Sequence, residues 1–196
     1  MKLVLATGNK GKLAELRQLL EGTGIQVLPQ SDFGVPDAEE TGLSFIENAI
    51  LKARHAAAHT GLPAMADDSG IEVDALNGAP GIYSARYAGV HGDDAANNAR
   101  LLTALEGLPA AERGARFYCA VAFLRHAEDP TPVIAEGIWE GRILECARGE
   151  GGFGYDPLFF DPALDRSAAE LDPAEKNRVS HRARALRAIA ERLRAR

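Results

Sequence analysis

The sequence predicts an α/β protein built on a mixed β-sheet. Three observations carry that prediction. The chain opens by alternating a short apolar strand with a run of helical periodicity. Its second half sets strand-like apolar segments close together with turn residues between them, the pattern of a β-meander. No repeat, low-complexity tract or linker interrupts the 196 residues, a length suited to one domain or two small lobes.

Leu3–Ala6 reads as the first strand. The loop Thr7-Gly8-Asn9-Lys10-Gly11-Lys12 follows, with Asn9 as the N-cap of a helix whose Leu13, Leu16 and Leu20 share a face. Val27–Leu28 gives a second short strand, and an acidic loop passes through Asp37, Glu39 and Glu40. Ser44-Phe45-Ile46-Glu47 has the form of a capping box and opens a helix that Gly61 ends. Pro63–Ala66 is a short strand running into the polar stretch Asp67-Asp68-Ser69-Gly70. Ile71–Ala75 alternates at period two, a further strand turned by Asn77-Gly78. After the loop Gly78–Gly92, Asp93 caps a helix carrying Leu101, Leu102 and Leu105. Phe117–Leu124 is a strongly apolar strand, and a turn at Asp129-Pro130 leads to Val133–Trp139 and then Arg142–Leu144. The glycine-rich segment Gly149–Gly154 precedes Tyr155-Asp156-Pro157. Asp172-Pro173 opens the last helical region with proline at the first helical position.

Composition excludes several classes. Cys119 and Cys146 are too few for a secreted disulfide framework and lack CxxC spacing, which points to a reducing cytoplasm. The apolar run at the N-terminus is too short for a signal peptide, and no stretch approaches a membrane span. A formal net charge of −6 argues against a nucleic-acid binder. The charge is uneven. Residues 175–196 hold one lysine and seven arginines against two glutamates, a net of +6, which leaves −12 on residues 1–174. With 17 arginines to 5 lysines, the pair Lys10 and Lys12 stands out.

Four segments bear on chemistry. The Thr7–Lys12 loop joins a strand to a helix N-terminus, where backbone N–H groups and the helix dipole favour an anion. It misses Walker A spacing, and as a residue pattern it fits a generic βα turn as well as a phosphate cradle. Asp67-Asp68-Ser69-Gly70 lies at the carboxyl end of a strand, where open α/β sheets place ligands. It reads either as a polar turn capped by carboxylates or as a Mg²⁺ site, since Mg²⁺ takes one or two carboxylates plus water and phosphate oxygens. Glu40 is then a second ligand or a solvated acid. Gly149–Gly154 matches GxGxxG, yet Tyr155-Asp156-Pro157 follows in place of a helix, which rejects a dinucleotide fold. Such glycines admit a flat ligand close to backbone, with Phe153 or Tyr155 available to stack. Lys176, His181 and Arg182 either are solvated or close over an anionic ligand. His55 and His59 lack the glutamate of HExxH and a third ligand, Cys119 reads as core, and nothing has the form of a nucleophile elbow.

Taken together, several segments in order resemble one family. They are Ala6-Thr7-Gly8-Asn9-Lys10-Gly11-Lys12, Glu40-Thr41-Gly42, Phe45-Ile46-Glu47-Asn48-Ala49 and Ala66-Asp67-Asp68-Ser69-Gly70. Gly78-Ala79-Pro80-Gly81-Ile82-Tyr83-Ser84-Ala85-Arg86, Gly152-Phe153-Gly154-Tyr155-Asp156-Pro157 and Lys176-Asn177-Arg178-Val179-Ser180-His181-Arg182 complete the set. The family is that of the non-canonical purine nucleoside triphosphate pyrophosphatases, and the match runs from Leu5 to about Leu186.

The resemblance implies two lobes around an elongated mixed sheet within one domain, residues 1–196, with the substrate in the inter-lobe cleft. It implies a cytoplasmic homodimer that hydrolyses dITP, ITP and XTP to the monophosphate and pyrophosphate with Mg²⁺. Carried over residue by residue, Thr7, Gly8, Asn9, Lys10, Gly11 and Lys12 hold the triphosphate. Glu40 and Asp68 serve the metal, with Asp68 as general base. Ser69, Phe153, Gly154, Tyr155, Asp156, Lys176, His181 and Arg182 line the nucleotide, and Asp67 and Lys52 lie near metal or phosphates. The competing expectations are a pyrophosphatase of modified pyrimidine nucleotides and a catalytically silent nucleotide sensor. A haloacid-dehalogenase-type phosphatase requires DxD after a strand, and Asp67-Asp68-Ser69 lacks the spacer.

Overall fold

A computed structural model describes residues 1–7 and 10–194, with residues 10–12, 15 and 19 described by their backbone. The elements in chain order are β1 (Lys2–Leu5), α1 (Lys10–Leu19), β2 (Gln26–Pro29), α2 (Phe45–Thr60), β3 (Ala64–Val73) and α3 (Asp94–Ala104). Then come β4 (Gly114–Leu124), β5 (Val133–Ile143), β6 (Phe159–Asp161), β7 (Arg166–Ser167), α4 (Pro173–Val179) and α5 (His181–Arg194). Among the described residues the strands form one seven-stranded sheet in the order β2-β1-β3-β4-β5-β6-β7. β1 pairs in parallel with β2 and β3, while β5–β6 and β6–β7 are antiparallel. The mixed α/β sheet is the one expected from the sequence.

The chain divides into two compact units. The first comprises Met1–Asp68, Cys119–Gly137 and Arg182–Arg196; the second comprises Ser69–Tyr118 and Ile138–His181. In the first, Leu3, Leu5, Met65, Cys119, Val121 and Phe123 pack with Leu16 of α1, with Leu20 just after it, and with Ala185, Leu186 and Ile189 of α5. Across the strands, Val4 and Ala64 pack against Ala56 and Ala57 of α2. The second unit is organised around Phe117, Trp139 and Phe159, with Ile71, Val73, Leu101, Leu105, Ile143 and Leu158.

Capping follows the sequence closely. Ser44 caps α2, accepting from the Glu47 N–H, and Gly61 ends it in the left-handed conformation. The second half of the expected capping box differs, because the Glu47 carboxylate accepts from the Leu43 N–H and the Ser44 hydroxyl. Asp93 caps α3 through the Ala96 N–H. Asp172 and Glu175 form a full capping box on α4, with Pro173 in its first turn.

Three expectations are corrected. Asp67-Asp68-Ser69-Gly70 is no turn, since β3 runs unbroken from Ala64 to Val73. Both aspartates find side-chain partners on helices, so their polarity does not require the strand to stop. The two strands expected at Val133–Trp139 and Arg142–Leu144 are one, β5, and Gly141 stands inside it. A Cβ at Gly141 would lie 2.6 Å from the Phe159 ring, so that glycine serves the close approach of β6 rather than a turn. The last helical region is broken at Ser180, whose extended backbone separates α4 from α5.

Candidate active site

Successive residues of a strand face opposite sides of its sheet. The core fixes the parity of β3, because Ala64 packs on the α2 side and Met65 on the side of α1 and α5. Four residues after Ala64, Asp68 falls to α2; two after Met65, Asp67 falls to α5.

On the α2 side, the Lys52 ammonium donates to Asp68 Oδ1 at 2.7 Å and to Glu40 Oε1 at 3.0 Å. Asn48, one helical turn before Lys52, donates from Nδ2 to Asp68 Oδ2 at 3.3 Å. Its Oδ1 accepts the Gly42 N–H at 2.8 Å, tying down the loop that carries Glu40. Gly42 belongs there for a spatial reason, since a Cβ would lie 2.7 Å from Asn48 Oδ1. Lys52 and Asp68 are 17% and 12% exposed at the side chain. Burial pushes the Asp68 carboxyl above its ordinary range and Glu40 adds to the shift, against the opposing pull of Lys52 and Asn48. Burial works against the Lys52 ammonium, but Asp68 and Glu40 outweigh it and hold the pKa above its usual value.

On the other side, Arg182 near the start of α5 donates from Nε to Asp67 Oδ2 at 3.3 Å, with both side chains largely withdrawn from solvent. The His181 ring, in the second unit, is buried and stacks on Phe117 with centroids 4.8 Å apart and planes 13° apart.

The second unit also holds the glycine-rich loop. Phe153 is 58% exposed, and its N–H donates to Asp156 Oδ2 at 2.7 Å. Asp156 is buried and paired with Lys176, whose Nζ stands 4.7 Å from the centre of the Phe153 ring. Gly152 has a φ of +76°, and a side chain there would strike the Asp156 carboxylate. Of the two rings available to stack, Phe153 is the exposed one and Tyr155 is not. Tyr155 is buried in the core, its hydroxyl donates to Ser84 O at 2.8 Å, and burial raises its pKa.

The remaining expected residues are placed as follows. The Thr7 N–H bonds to Leu5 O and the Ala6 N–H to Met65 O, so the segment leaving β1 is anchored next to β3. Gly8 and Asn9, including the expected Asn9 cap, lie outside the described residues. Lys10, Gly11 and Lys12 open α1, and the roles expected of the two lysine side chains also lie outside what is described. Ser69 follows Asp68 on β3, half-buried. Glu40 and Asp68 are brought together around Lys52, whereas Asp67 belongs with Arg182. Asn48 had no role in the sequence reading. Its signal is positional, because Asn48 and Lys52 share the face of α2 that otherwise buries Ala49, Ala53 and Ala56.

The donor chemistry of Glu40 and Asp68 fits a hard divalent cation. Their oxygens already converge on one positive charge, and among the described residues no group of three His, Cys, Asp or Glu gathers as a self-sufficient metal cage. Two carboxylates completed by water and phosphate oxygens are the set that Mg²⁺ favours. His55 and His59 lie ring to ring at 4.2 Å, and their nitrogens donate to the carbonyls of Pro36 and His55. No described helix is long and apolar enough to cross a membrane.

Comparison with known proteins identifies the family and the fold. The chain is 70% identical, over the whole of both chains, to a protein of Thioalkalivibrio sulfidiphilus named dITP/XTP pyrophosphatase. Its fold matches a HAM1 protein of Coxiella burnetii with a TM-score of 0.96 and 50% identity over both full chains. It matches the Ham1 protein of Staphylococcus aureus at 0.91 and 39%, covering 100% of this chain and 99% of that one. The Ham1 family model extends over residues 3–192, from the first residues of β1 into the last turn of α5, and this chain belongs to the Ham1 family.

Proposed function

We propose that this protein is a nucleoside triphosphate pyrophosphohydrolase that converts dITP, ITP and XTP to the monophosphate and pyrophosphate. The observation that carries the reading is the convergence of Glu40 and Asp68 on Lys52, in a chain 70% identical to a dITP/XTP pyrophosphatase. Phosphoryl transfer asks the protein for in-line positioning and for neutralisation of spreading charge more than for covalent help. Glu40 and Asp68 hold Mg²⁺, which when bound neutralises charge on the phosphate oxygens.

Water attacks the α-phosphorus, the anhydride bond to the β-phosphate breaks, and pyrophosphate leaves. Asp68 takes the proton of that water. A carboxylate has enough lone pairs to accept from Lys52 and Asn48 and still face another group. Lys52 keeps the carboxylates in register, and Thr7 to Lys12 grip the triphosphate. Phe153 stacks on the purine, while Ser69, Gly154, Tyr155, Asp156 and Lys176 shape its surroundings, Tyr155 through the fold of the loop. Arg182 and His181 donate to the 6-keto oxygen of hypoxanthine and xanthine. Arginine only donates, so it opposes the 6-amino group of adenine. The same reading carries a homodimer, a cytoplasmic location, in keeping with Cys119 and Cys146 not being bridged, and no nucleic-acid partner, in keeping with the net charge of −6.

The test is a nucleotide panel in excess Mg²⁺ with pyrophosphate and orthophosphate measured separately. ITP, dITP and XTP are expected to release pyrophosphate, with ATP poorer by about 10⁴-fold, the rejection available to a site whose donors are left unpaired. Release of orthophosphate would move attack to the γ-phosphorus and defeat the proposal. Binding of ITP without turnover would leave a nucleotide sensor.

A further inference from the structure

The tip of the glycine-rich loop is held from the side by a helix. The Gly154 N–H donates to Asp94 Oδ2 at 2.7 Å, and the Gly154 carbonyl accepts from Asn98 Nδ2 at 2.9 Å. Asp94 and Asn98 stand four residues apart on α3 and so share one helix face. Their two side chains grip the two peptide groups flanking one residue, and that residue, at φ +61°, follows the exposed Phe153 directly. Loop-tip peptides are ordinarily left to water, and a loop fixed by solvent alone samples many forms.

Helix capping does not account for Asp94. Asp93 is the N-cap and accepts from the Ala96 N–H, so α3 starts without help from its neighbour. Nor does α3 spend its polar residues at random. The adjacent Asn97, buried, accepts the Ala88 N–H at 2.7 Å and donates to Ala85 O at 3.3 Å. That fixes the loop whose Ser84 carbonyl receives the Tyr155 hydroxyl.

We propose that Asp94 and Asn98 are positioning residues that hold Gly154, and through it the Phe153 ring, in the arrangement that receives the purine. The inference rests on the proposed function, in which Phe153 stacks on the base. Neither residue touches substrate. Each acts by removing the cost of ordering the loop when nucleotide binds, which shows in affinity for the nucleoside part and not in the chemistry at phosphorus.

The experiment is steady-state kinetics on ITP for Asn98→Ala, Asp94→Ala and Asp94→Asn, with inhibition by inorganic triphosphate as a base-free probe. Each alanine variant is expected to raise KM for ITP about tenfold, the worth of a hydrogen bond to a fixed partner, with kcat within about twofold of the parent. The Ki of inorganic triphosphate should stay unmoved. Asp94→Asn keeps an oxygen for the Gly154 N–H and should recover most of the lost affinity. Unmoved KM in both alanine variants overturns the inference, as does a Ki that rises in step with KM, which would mark general distortion. So does an Asp94→Asn variant as impaired as Asp94→Ala, which would make the helix charge the cause. A parent enzyme that releases no pyrophosphate from ITP breaks the proposed function and this inference with it. A parent that turns over ITP while KM stays fixed in the variants breaks this inference alone.

Discussion

The two units solve the placement of functional side chains by different means. In the first, Asp68 and Lys52 stand on a strand and a helix, where periodicity and a small-residue interface set their direction. In the second, Phe153 stands on an irregular loop whose shape depends on side-chain clamps. Asp156 accepts the Phe153 N–H, Lys176 pairs with Asp156, and α3 grips Gly154. Asp68 and Lys52 are placed by regular elements, while Glu40, which meets the same ammonium, rides on a loop that Asn48 ties down. An aromatic face that must meet a flat ligand is placed by a loop. A regular element resists displacement because its backbone bonds are shared among many residues; the loop keeps its form through a few bonds, each of which a single substitution removes.

The contrast is sharpest in what its loss should do to catalysis. Asp68→Asn keeps shape and the hydrogen bond from Lys52 while removing the base and a charge for the metal. The expected result is a fall in kcat of about 10²–10⁴-fold, the usual worth of general-base assistance, with KM for ITP little changed. Phe153→Ala should do the reverse, raising KM for ITP by one to two orders of magnitude, since base–aromatic stacking is worth about 1–3 kcal/mol. Steady-state kinetics on both variants checks the pair. Equal effects on kcat and KM in the two would erase the division of labour.

Much of the first unit's site was legible in the sequence, and the reason is periodicity. The Ser44 cap and the Gly61 stop bound α2 as the sequence predicts, and Asp68 stands out in it, though on a strand that runs on to Val73 rather than at a strand end. What misled was polarity. Asp67-Asp68-Ser69-Gly70 has turn composition, and no local rule shows that Lys52, Asn48 and Arg182 supply the partners that let a strand carry two carboxylates. The same blindness hid Asn48, whose bonds to Gly42 and Asp68 join segments far apart in the chain. In the second unit the exposed Phe153 and the Lys176 beside it were visible as residues of interest. Which of Phe153 and Tyr155 is the exposed ring rests on core packing and on a hydroxyl bond from Tyr155 to Ser84, 71 positions away, which no local pattern carries. The single strand β5 is split in the sequence reading at the residues around Gly141, whose glycine answers to the close approach of Phe159 and Phe160 and not to a break in the strand.

Asn48→Ala probes how far the first unit tolerates a missing clamp. It leaves the Gly42 N–H without its acceptor and Asp68 without one donor, a loss of about 1–3 kcal/mol for partly buried partners. Because Asn48 steadies both the Glu40 loop and Asp68, the expected result is a fall in kcat of about tenfold and a raised Mg²⁺ requirement, read by titrating the metal at saturating ITP. A variant with parental metal dependence would show that β3 and α2 fix the carboxylates unaided.

The smallest effect separates two aspartates of the first unit. Asp68 is pushed above its ordinary range by burial, whereas Asp129 is held well below its own. The Arg125 guanidinium binds both Asp129 oxygens, and the N–H groups of Arg125 and Thr131 donate to the same carboxylate. Asp129 closes the connection between β4 and β5, which at residues 125–132 is too short for a parallel crossover. A carboxylate with no part in the proposed chemistry is thus held as an anion by a guanidinium and two backbone N–H groups. A folded-state pKa below the unfolded value gives stability that is present above the unfolded pKa, near 4 for aspartate, and lost as pH falls through the folded one. Asp129→Asn should therefore lower Tm at neutral pH by a few degrees at most, as Arg125 is exposed and its pairing is screened. The gap from the parent should be widest above about pH 5 and close as the pH falls below about 4. Turnover of ITP at pH 7 should stay at the parental level, because the Asp129 carboxylate bonds to Arg125 and Thr131 and not to Asp68, Asn48 or Lys52. Thermal melts across pH 2.5–7 measure it, and a Tm gap constant over that range would assign the stabilisation to the backbone bonds rather than to the charge.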